Sequence, residues 1–568
     1  MTATRPRGRL ALALTAAGLT AAGCLTVAPA HASPADASPA AAHASPASAA
    51  DPDGINGYRA VGYVMADSPV TRDVQIADLA ASGAIDDLTH LNYAFGNVTA
   101  DLRCDILDEP GEGDAENDFL RLVSAADSVD GVADTADQAL AGNFNQLRKL
   151  KAEHPDLKIL ISLGGWTWSD HFSEAAATPE RRTALIDSCI GLYLDGDLPV
   201  IDGRGGPGAA AGIFDGIDID WEWPVTGGET PNADPADKEN FLALMEEFRT
   251  RLDARGDEDG RDYLLTAFAP AGGWNAGEGG WLDPRLFAAV DYLNVQGYDF
   301  HGGWVPNQTG HQGNLHPDGT NNWGLGLDGA MGMYVDAGAR PDQLNAGLAA
   351  YGHGWYGVEN TEEAWQPAAG YIGTKTYAEL HGTGTAHFDP EIGASWLVDG
   401  DEWWSYDDPA SVTAKAEWLA EQGYGGAMWW DLSGDFRGEL GASLADTLRA
   451  ATPGPAVDAA CAAPWYGTGV YDTGDVVSHD GVEYRASWWT RAQQPGGANG
   501  PWSEIGPCGT AGAPEPAVCA AAWDANRVYT GGDRVSRAGV LYTAQWWTTG
   551  ERPGSVAWGS WKPLAPCA

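Results

Sequence analysis

The chain has few basic residues for its size. Of its 568 residues, 32 are Lys or Arg and 79 are Asp or Glu, so the formal net charge at pH 7 is −47. Phosphate backbones and anionic lipid headgroups repel a protein of this charge. We therefore expect neither a nucleic-acid partner nor a membrane partner, and we expect a neutral substrate.

Long hydrophobic runs are also scarce. The clearest one, residues 10–27, follows an arginine-rich start and precedes the tripeptide Ala-His-Ala at 30–32. This order is typical of a secretory signal peptide with an A-x-A cleavage site, so we assign residues 1–32 to it and predict a secreted, extracellular protein. A transmembrane anchor fits less well, because Gly and Thr dilute the run. A lipoprotein signal at Cys24 is the other alternative.

Cysteine is the third scarce residue, with seven in the chain. Secretion implies an oxidising environment in which cysteines pair, and an even number remains without Cys24. Several pairings are open on the sequence alone, but an internal repeat near the C-terminus favours the sequential one. The predicted disulfides are Cys104–Cys189, Cys461–Cys508 and Cys519–Cys567.

Tryptophan and glycine, in contrast, are abundant, with 25 and 75 residues. Some of the tryptophan lies in the C-terminal repeat, where the pair Trp488-Trp489 recurs as Trp546-Trp547. Each copy of the repeat is too small to be stabilised by core burial alone, so a disulfide between its ends is expected. An exposed aromatic pair can stack on the flat faces of sugar rings.

Composition divides the chain into segments. Residues 33–54 are rich in Ala, Pro and Ser, which is typical of a flexible linker. The predicted segments after this linker are a central domain at 55–453, a linker at 454–460, a first module at 461–508, a linker at 509–518 and a second module at 519–567.

The central domain alternates apolar runs with amphipathic helical stretches. Eight units of a strand and a helix predict the fold class α/β, as a (β/α)8 TIM barrel with its functional site at the C-terminal ends of the strands. The long interval before the eighth run predicts a small α+β insertion at about 358–422, forming a wall beside the cleft. The eight runs are 58–66, 88–98, 158–165, 214–223, 263–270, 290–300, 343–355 and 423–432.

The fourth run begins the stretch FDGIDIDWEWP at 214–224, in which Asp218, Asp220 and Glu222 alternate with apolar residues. Alternate side chains of a strand share a face, so we expect the three carboxyl groups to point into the barrel. Closely spaced carboxyls share protons, which can keep Glu222 protonated near neutral pH as a general acid. Cleavage of a glycosidic bond is the leading chemistry for such a group.

A metal site is the competing explanation for the three acids. Carboxylates alone suit Mg²⁺ or Ca²⁺, but no histidine joins them and tryptophan flanks Glu222 on both sides. We therefore predict no metal and no cofactor. Calcium binding in the acidic segment 101–137 is also disfavoured, because the spacing of a calcium-binding loop is not present there.

The stretch DGIDIDWEWP resembles the D-x-x-D-x-D-x-E signature of the family 18 glycoside hydrolases, the chitinases. The resemblance covers about residues 55–450, and the insertion before the eighth strand resembles that of the deep-cleft bacterial subgroup. Four further stretches occur in the order typical of the family: SLGGWTWS at 162–169, QGYDF at 296–300, YGHGW at 351–355 and GGAMWW at 425–430.

The resemblance implies a retaining mechanism in which the substrate assists. Glu222 would protonate the leaving oxygen, and the acetamido oxygen of the substrate would attack in place of a second carboxylate. Asp220 would orient the acetamido group, Asp218 would share its proton, and Tyr298 would hydrogen-bond the acetamido oxygen. Asp215 completes the acidic signature as a further catalytic candidate. The substrate-binding residues implied by the resemblance are Gly164, Gly165, Trp166, Thr167, Tyr63, Trp223, Gln296, Gly297, Asp299 and Trp430.

Three positions depart from the family pattern. Gln296 stands where Met is common, His353 stands where Arg is common, and Trp223 stands where Tyr is more usual. None of the three departures removes a catalytic group.

The C-terminal repeats resemble small chitin-binding modules of the family 5/12 type through ASWWT at 486–490 and AQWWT at 544–548. We therefore predict a secreted, monomeric chitinase that binds insoluble chitin and chito-oligosaccharides. The alternatives are an endo-β-N-acetylglucosaminidase acting on N-glycans and a chitin-binding protein without catalysis. The aromatic residues implied in chitin binding are Trp488, Trp489, Trp546 and Trp547.

Overall fold

The computed structural model describes most of the central domain and parts of both C-terminal modules. The predicted signal peptide, the linker that follows it and the four module cysteines Cys461, Cys508, Cys519 and Cys567 lie outside the described residues. The described residues are 55–107, 113–229, 233–319, 324–452, 454, 465, 470–471, 476–479, 482–491, 493–497, 500–507, 520–524, 527–537, 540–544, 546–551, 553 and 560–566.

Eight parallel strands of the central domain close into a barrel. Each strand pairs with the next one along the chain, and the eighth pairs with the first. The predicted (β/α)8 barrel is confirmed, and each strand lies within one of the eight predicted runs. The barrel strands are Arg59–Met65, His90–Val98, Lys158–Gly164, Gly216–Asp220, Leu264–Ala269, Tyr292–Val295, Leu344–Ala349 and Gly426–Trp430.

The fourth barrel strand, Gly216–Asp220, is buried on both faces, as strands of helix-covered parallel sheets are. Ile217 and Ile219 belong to the main hydrophobic core. Asp218 and Asp220 alternate with them and are buried as well. The pleat of this strand therefore separates an apolar face from an acidic face.

Helices surround the barrel, and two of them begin with clear capping residues. The Thr178 side chain accepts a hydrogen bond from the third residue of helix Pro179–Cys189, and Asp408 caps helix Pro409–Gln422 in the same manner. Proline suits the first position of both helices, because a backbone N–H there has no partner within the helix. None of the helices in the described residues is both long and apolar enough to cross a membrane.

The helices of the central domain include short, 3-10 and π segments. They are Ser68–Thr71, Ile76–Ser82, Glu116–Leu120, Gly142–Glu153, Gly165–Trp168, Phe172–Ala176, Pro179–Cys189, Ile190–Leu194, Asp237–Asp259, Gly273–Gly279, Pro284–Ala289, Leu327–Asp336, Pro341–Gln343, Tyr377–Leu380, Pro409–Gln422, Leu432–Asp435 and Glu439–Ala450. A disulfide joins Cys104, in the short strand Cys104–Asp105, to Cys189 at the end of its helix, which is the pairing expected from sequential order. A second small strand pair, Leu198–Ile201 with Arg204–Gly206, follows that region.

The chain forms a second sheet from residues that lie, in sequence, between the seventh and eighth barrel strands. Its strands are antiparallel, and together with the short helix Tyr377–Leu380 they form an α+β insertion of the kind expected. Its own hydrophobic core contains Trp355, Trp396 and Trp403. In spatial order the five strands are Gly370–Thr376, Tyr351–Tyr356, Glu402–Tyr406, Ala394–Asp399 and Thr385–Asp389.

The boundaries of this insertion differ from the expected range of about 358–422. The predicted run 343–355 is divided, because the barrel strand ends at Ala349 and the strand Tyr351–Tyr356 belongs to the second sheet. At the C-terminal end of the expected range, helix Pro409–Gln422 packs on the last helix of the barrel, so it belongs to the barrel and not to the insertion. The run 343–355 is apolar or small almost throughout, so periodicity carries no sign of the change from one sheet to the other.

The two C-terminal modules share one plan, a three-stranded antiparallel sheet beside a two-stranded pair. A buried Tyr–Trp pair lies in each core, with ring centroids 5.1 Å apart for Tyr471 and Trp502 and 5.0 Å apart for Tyr529 and Trp561. The sequence repeat is therefore a structural repeat. The strands are Val470–Tyr471, Val476–His479, Val482–Ala486, Thr490–Arg491 and Trp502–Pro507, then Val528–Tyr529, Arg534–Arg537, Val540–Ala544, Thr548–Thr549 and Trp561–Pro566.

Candidate active site

Asp218 lies deepest of the three alternating acids and is held by hydroxyl groups from three other barrel strands. The hydroxyls of Tyr63, Ser162 and Thr266 donate to its carboxyl oxygens at 2.6, 2.8 and 2.5 Å. Burial raises the pKa of Asp218, and these hydrogen bonds oppose the rise. Burial and the nearby acids raise the pKa of Tyr63 well above its usual value, so the phenol remains a donor.

Tyr63 also begins a chain of polar contacts toward the base of the barrel. The amide of Asn294 lies 3.4 Å from the Tyr63 hydroxyl, and the amide of Asn345 donates to Asn294 at 3.0 Å. The guanidinium of the buried Arg59 donates to Asn345 at 3.2 Å. The amide side chains of Asn294 and Asn345 therefore separate the Arg59 guanidinium from the acids at the mouth of the barrel, which is the end formed by the C-terminal ends of the strands.

Asp220 is the second acid, one pleat above Asp218. Burial and the charges of Glu222 and Asp218 raise its pKa well above the usual range for a carboxyl group. Its Oδ1 atom is buried and has no hydrogen-bond partner among the described residues. Because buried polar atoms are nearly always hydrogen-bonded, this oxygen is an acceptor available to a ligand.

Glu222 follows the end of the fourth strand and is only partly buried. Burial, and then the negative charge of Asp299, raise the pKa of Glu222 to about 8. Its backbone N–H donates to the hydroxyl oxygen of Ser169 at 2.9 Å, and that hydroxyl donates to the carbonyl of Gly165 at 2.8 Å. The segment that carries Glu222 is therefore tied to the loop after the third strand.

That loop depends on two adjacent glycines with positive φ. A Cβ atom on Gly164 would lie 2.4 Å from the carbonyl oxygen of Asp220, and one on Gly165 would lie 2.5 Å from the ring of Phe95. Glycine is therefore required at both positions for the backbone to approach so closely. The next residues, Trp166 and Thr167, are exposed.

Trp430 ends the eighth barrel strand and lies partly exposed between two aromatic rings. Its ring is stacked with Phe95 at a centroid distance of 5.6 Å and is tilted against Tyr63 at 5.4 Å. Phe95 was not singled out from the sequence, because nothing in its own run distinguishes it from a core residue. Phe95 is placed at the site by its close approach to Gly165, where a Cβ atom would clash with the Phe95 ring.

Tyr298 and Asp299 follow the sixth barrel strand. Tyr298 is buried and stacks on Phe268 at 6.2 Å, and burial together with nearby acids, Asp299 first, raises its pKa far above the usual value. Its hydroxyl therefore stays protonated. Gln296 is partly buried, and a Cβ on Gly297 would lie 2.1 Å from the carbonyl oxygen of Gly347.

Asp299 joins the barrel to the insertion. Its Oδ1 accepts a hydrogen bond from the Tyr351 hydroxyl at 2.6 Å and lies 2.9 Å from Nε2 of His353. The other ring nitrogen of His353 lies 2.5 Å from the hydroxyl of Tyr371. The sequence identified Asp299, noted His353 as a departure and included Tyr351 in the family stretch YGHGW without assigning it a role, but it gave no indication of Tyr371, which reaches the site from the second sheet.

Asp215 does not join the three alternating acids. It precedes the fourth strand and accepts a hydrogen bond from the Ile159 backbone at 2.9 Å, while Arg261 lies at 2.9 Å and Lys151 also forms an ion pair with it. Asp215 therefore lies at the base of the barrel in a paired, structural environment. The resemblance had placed it in the catalytic set.

Trp223 also lies away from open space. Its ring stacks on Phe268 at 5.7 Å and meets Trp281 edge-on at 6.0 Å, and it is buried. It packs beneath the site and does not form an open wall. Within the described residues, no group of three or more His, Cys, Asp or Glu side chains is arranged to hold a metal ion.

The module aromatics are exposed, as their proposed contact with a sugar polymer requires. Between 44% and 62% of each residue is accessible, although all four are large apolar side chains. Exposed tryptophan pairs on so small a module leave flat apolar faces for a ligand. The four residues are Trp488, Trp489, Trp546 and Trp547.

Comparisons with known proteins agree with this geometry. Residues 59–435 match the family model of glycosyl hydrolases family 18, and residues 464–503 and 522–562 match carbohydrate-binding module family 5/12. Chitinase C of Streptomyces lividans is 38% identical over 64% of this chain but only 55% of its own length, so the chain spans little more than half of that relative.

Two solved structures extend the comparison. The catalytic domain of psychrophilic chitinase B from Arthrobacter TAD20 is 46% identical with a TM-score of 0.69, over 71% of this chain and 98% of that one. A family 18 N-acetylglucosaminidase from Paenibacillus barengoltzii is 27% identical with a TM-score of 0.53, over 69% of this chain and 99% of that one.

Proposed function

The chain belongs to glycosyl hydrolases family 18, and we propose that it is a secreted chitinase cutting the β-1,4 links between N-acetylglucosamine units. One observation carries the proposal: Asp220 has a buried oxygen with no partner among the described residues, and it lies one pleat below Glu222, whose pKa is raised to about 8 by burial and by the charge of Asp299. A neutral polymer also suits a chain with a net charge of −47. The relatives named above that are chitinases support the same substrate.

In the first step Glu222 acts as the general acid. It gives its proton to the glycosidic oxygen while the bond from that oxygen to the anomeric carbon breaks. The acetamido oxygen of the same sugar bonds to the anomeric carbon from the opposite face, so no protein carboxylate attacks. The released sugar leaves with a new hydroxyl group.

The positive charge then lies on the cyclised acetamido group. Asp220 accepts a hydrogen bond from the acetamido N–H and opposes this charge, while Tyr298 donates to the acetamido oxygen and orients it for attack. Asp218, one pleat below, exchanges a proton with Asp220 as that charge develops. Burial of all three residues strengthens these interactions.

Water completes the reaction. It attacks the anomeric carbon, the bond to the acetamido oxygen breaks, and the proton from the water returns to Glu222. Two displacements give net retention of configuration. Trp430 lies under the reacting sugar as an apolar floor, and Trp166 and Thr167 line the entrance.

The C-terminal modules are proposed to hold the enzyme on insoluble chitin. Stacking of sugar rings on the exposed tryptophan pairs is independent of charge, and two modules on one chain raise the effective affinity by multivalency. Replacing Trp488 and Trp489 with Ala should reduce retention on chitin while leaving hydrolysis of soluble oligosaccharides unchanged. If this variant lost both retention on chitin and hydrolysis of soluble oligosaccharides, the proposed separation of chitin binding from catalysis would be wrong.

Release of reducing ends from chitin tests the proposed reaction. The wild type should release them, and Glu222→Gln should bind the polymer but release none above background. Binding without release by the wild type would favour a non-catalytic chitin-binding protein. Release from N-glycans but not from chitin would favour the endo-β-N-acetylglucosaminidase alternative. One of the similar structures is that of an N-acetylglucosaminidase.

Secretion and a monomeric state complete the proposal. The predicted signal peptide at 1–32 and the Cys104–Cys189 disulfide both suit an oxidising compartment. N-terminal sequencing of protein from the culture medium should find residue 33 or a neighbour at the start of the chain. Light scattering of the same material should give the mass of one chain.

A further inference from the structure

A chain of side-chain hydrogen bonds crosses the interior of the barrel from Arg59 to Asp218. Nε of Arg59 donates to Oδ1 of Asn345 at 3.2 Å, and Nδ2 of Asn345 donates to Oδ1 of Asn294 at 3.0 Å. Nδ2 of Asn294 donates to the Tyr63 hydroxyl at 3.4 Å, and that hydroxyl donates to Oδ2 of Asp218 at 2.6 Å. All five side chains are buried. We call the four side chains from Arg59 to Tyr63 the donor chain.

Every link of the donor chain points the same way. A guanidinium has donors and no acceptor, so Asn345 must present its oxygen to Arg59. An amide has its oxygen and its nitrogen on opposite sides of one planar group, so the nitrogen of Asn345 then faces Asn294, and the same holds at the next link. The Tyr63 hydroxyl therefore accepts from Asn294, and its own hydrogen remains for Asp218. Arg59 thus fixes the direction of the last hydrogen bond in the chain.

A proton on the Asp218 carboxyl group would displace one of its hydrogen-bond donors. Oδ2 accepts from Tyr63 and from the Ser162 hydroxyl at 2.8 Å, and Oδ1 accepts from the Thr266 hydroxyl at 2.5 Å. Burial raises the pKa of Asp218, and these hydroxyl groups oppose the rise. The titratable groups beside it are Tyr63 and Asp220. We call Asp218 and Asp220 the acid pair.

The far end of the donor chain has surroundings that keep Arg59 in place. Its Nη2 donates to the backbone carbonyl of Asp342, and the ring of Tyr292 lies 4.5 Å from the guanidinium carbon. His90 meets the Tyr292 ring edge-on at 5.3 Å. Burial raises the pKa of Asp291, and the charge of Arg59 is among those that oppose the rise. Arg59 forms no salt bridge with any described carboxylate, so its Nε remains available to Asn345.

We propose that Arg59, Asn345 and Asn294 are positioning residues for the reaction. The donor chain holds the Tyr63 hydroxyl as a donor to Asp218, and thereby keeps a negative charge on the acid pair in more acidic solution. This inference deepens the proposed function and rests on it, since that charge opposes the charge of the cyclised acetamido group. The three residues are buried in the barrel interior and act only through Tyr63.

The test breaks the donor chain without changing any charge. Rates of cleavage of a soluble N-acetylglucosamine hexamer are measured from about pH 3 to about pH 8 for the full-length wild type, Asn345→Leu and Asn294→Leu. Leucine keeps the branched shape but neither donates nor accepts. A broken chain leaves the Tyr63 oxygen able to accept from a protonated Asp218. The acid limb of the kcat/KM profile should therefore move about half a unit toward neutral pH in both variants.

A double-mutant cycle separates the hydrogen bonds from the charge of Arg59 acting through space. Arg59→Met should move the acid limb about as far as Asn294→Leu does, and the double variant should move it no farther, because the chain is already broken. A charge that acts directly would instead shift the limb by the same amount with and without Asn294→Leu. If circular dichroism shows that Arg59→Met does not fold, Asn345→Leu replaces it in the cycle.

Met428→Leu is the matched control. Met428 is buried in the eighth barrel strand and belongs to the hydrophobic core, so this volume-conserving change disturbs the packing of the barrel without touching the donor chain. The acid limb should stay in place, even if thermal unfolding shows a small loss of stability. A merely structural role for the donor chain predicts the same result for the two asparagine variants.

The outcomes separate this inference from the proposed function. An acid limb that stays in place in both asparagine variants, or that moves as far in Met428→Leu, overturns the inference while the enzyme remains a chitinase. A double variant whose shift is the sum of the single shifts also overturns it. A wild type that releases no product at any pH overturns the proposed function, and this inference with it.

Discussion

The acids in and beside the fourth barrel strand have opposite surroundings at its two ends. At the base of the barrel, Asp215 is paired with Lys151 and Arg261. At the mouth, Asp218, Asp220 and Glu222 form no salt bridge with any described residue, and the pKa of each is raised. We therefore keep in the proposed catalytic set only those acids of the signature that have no cationic partner among the described residues.

The price of this arrangement is stability, because burying a carboxyl group without a cation is unfavourable. The fold offsets it at Asp218 with three hydroxyl donors and leaves it open at Asp220, where an oxygen has no partner among the described residues. We propose that a bound substrate supplies the missing partner, so that the acids at the mouth serve the reaction while the acid at the base serves the fold.

The largest expected effect comes from removing the proton at the mouth. Glu222→Gln keeps the shape of the side chain but cannot donate, so kcat on soluble chito-oligosaccharides should fall by about 10³-fold or more. Thermal unfolding should show a fold at least as stable as the wild type. A variant with more than a tenth of the wild-type kcat would mean that another group protonates the leaving oxygen.

Asp220→Asn should have the next largest effect. The amide preserves a polar side chain at the site but cannot carry the negative charge that opposes the charged acetamido group, so kcat should fall by about 10²-fold. Steady-state kinetics at several pH values check this expectation. Equal losses for Asp220→Asn and Asp215→Asn would erase the distinction between mouth and base.

Asp215→Asn should change stability and leave the chemistry almost intact. It leaves Lys151 and Arg261 without their counter-ion, at a cost of about 1–3 kcal/mol in the free energy of unfolding. Urea unfolding and kcat are measured on the same preparation. If kcat collapses while the unfolding free energy is unchanged, Asp215 acts in catalysis, as the family signature alone had suggested.

The smallest expected effect is on how stability depends on pH. The pKa of Glu222 is raised from an ordinary 4.5 to about 8 in the folded chain, so the folded state binds this proton more tightly than the unfolded state. Its stabilising contribution is complete below about 4.5 and is lost as the pH rises through about 8. The melting temperature of Glu222→Gln relative to the wild type should therefore rise, by about 3 °C, over this interval.

Calorimetry at about pH 5 and about pH 8.5 measures that difference. The charge of Glu222 is one cause of the raised pKa of Asp220, so the contribution of Asp220 differs between the two proteins and is separated by repeating the comparison in an Asp220→Asn background. A constant difference in melting temperature at the two pH values would show that Glu222 has an ordinary pKa in the folded protein. The proposed general acid would then lack its proton at neutral pH.

The barrel could be predicted from the sequence because its strands are buried on both faces and appear as continuous apolar runs. The boundary difference at Ala349 has the same origin, since a second buried strand follows at once with a similar composition. The acidic face of the fourth strand was predictable from alternation alone. The same alternation puts Asp215 on the opposite side from the three acids, but its pairing with Lys151 and Arg261 was not predictable, because these cations come from other parts of the chain.

The surroundings of Trp223 and Tyr371 could not be predicted either, because their partners come from distant parts of the chain. Trp223 was expected at the cleft, but Phe268 and Trp281 from other segments bury it. Tyr371 reaches the site only because the insertion folds back on the barrel, so no local pattern marks it. Strand alternation identifies which side chains share a face, while the partners across a face depend on tertiary structure.

The central claim is that a protonated Glu222 works with the substrate's own acetamido group, so the protein supplies no attacking group. Sequencing the new reducing ends formed from partially deacetylated chitin tests it most directly. The account predicts that every new reducing end carries an N-acetyl group. New reducing ends made of glucosamine, formed at a comparable rate, would contradict it.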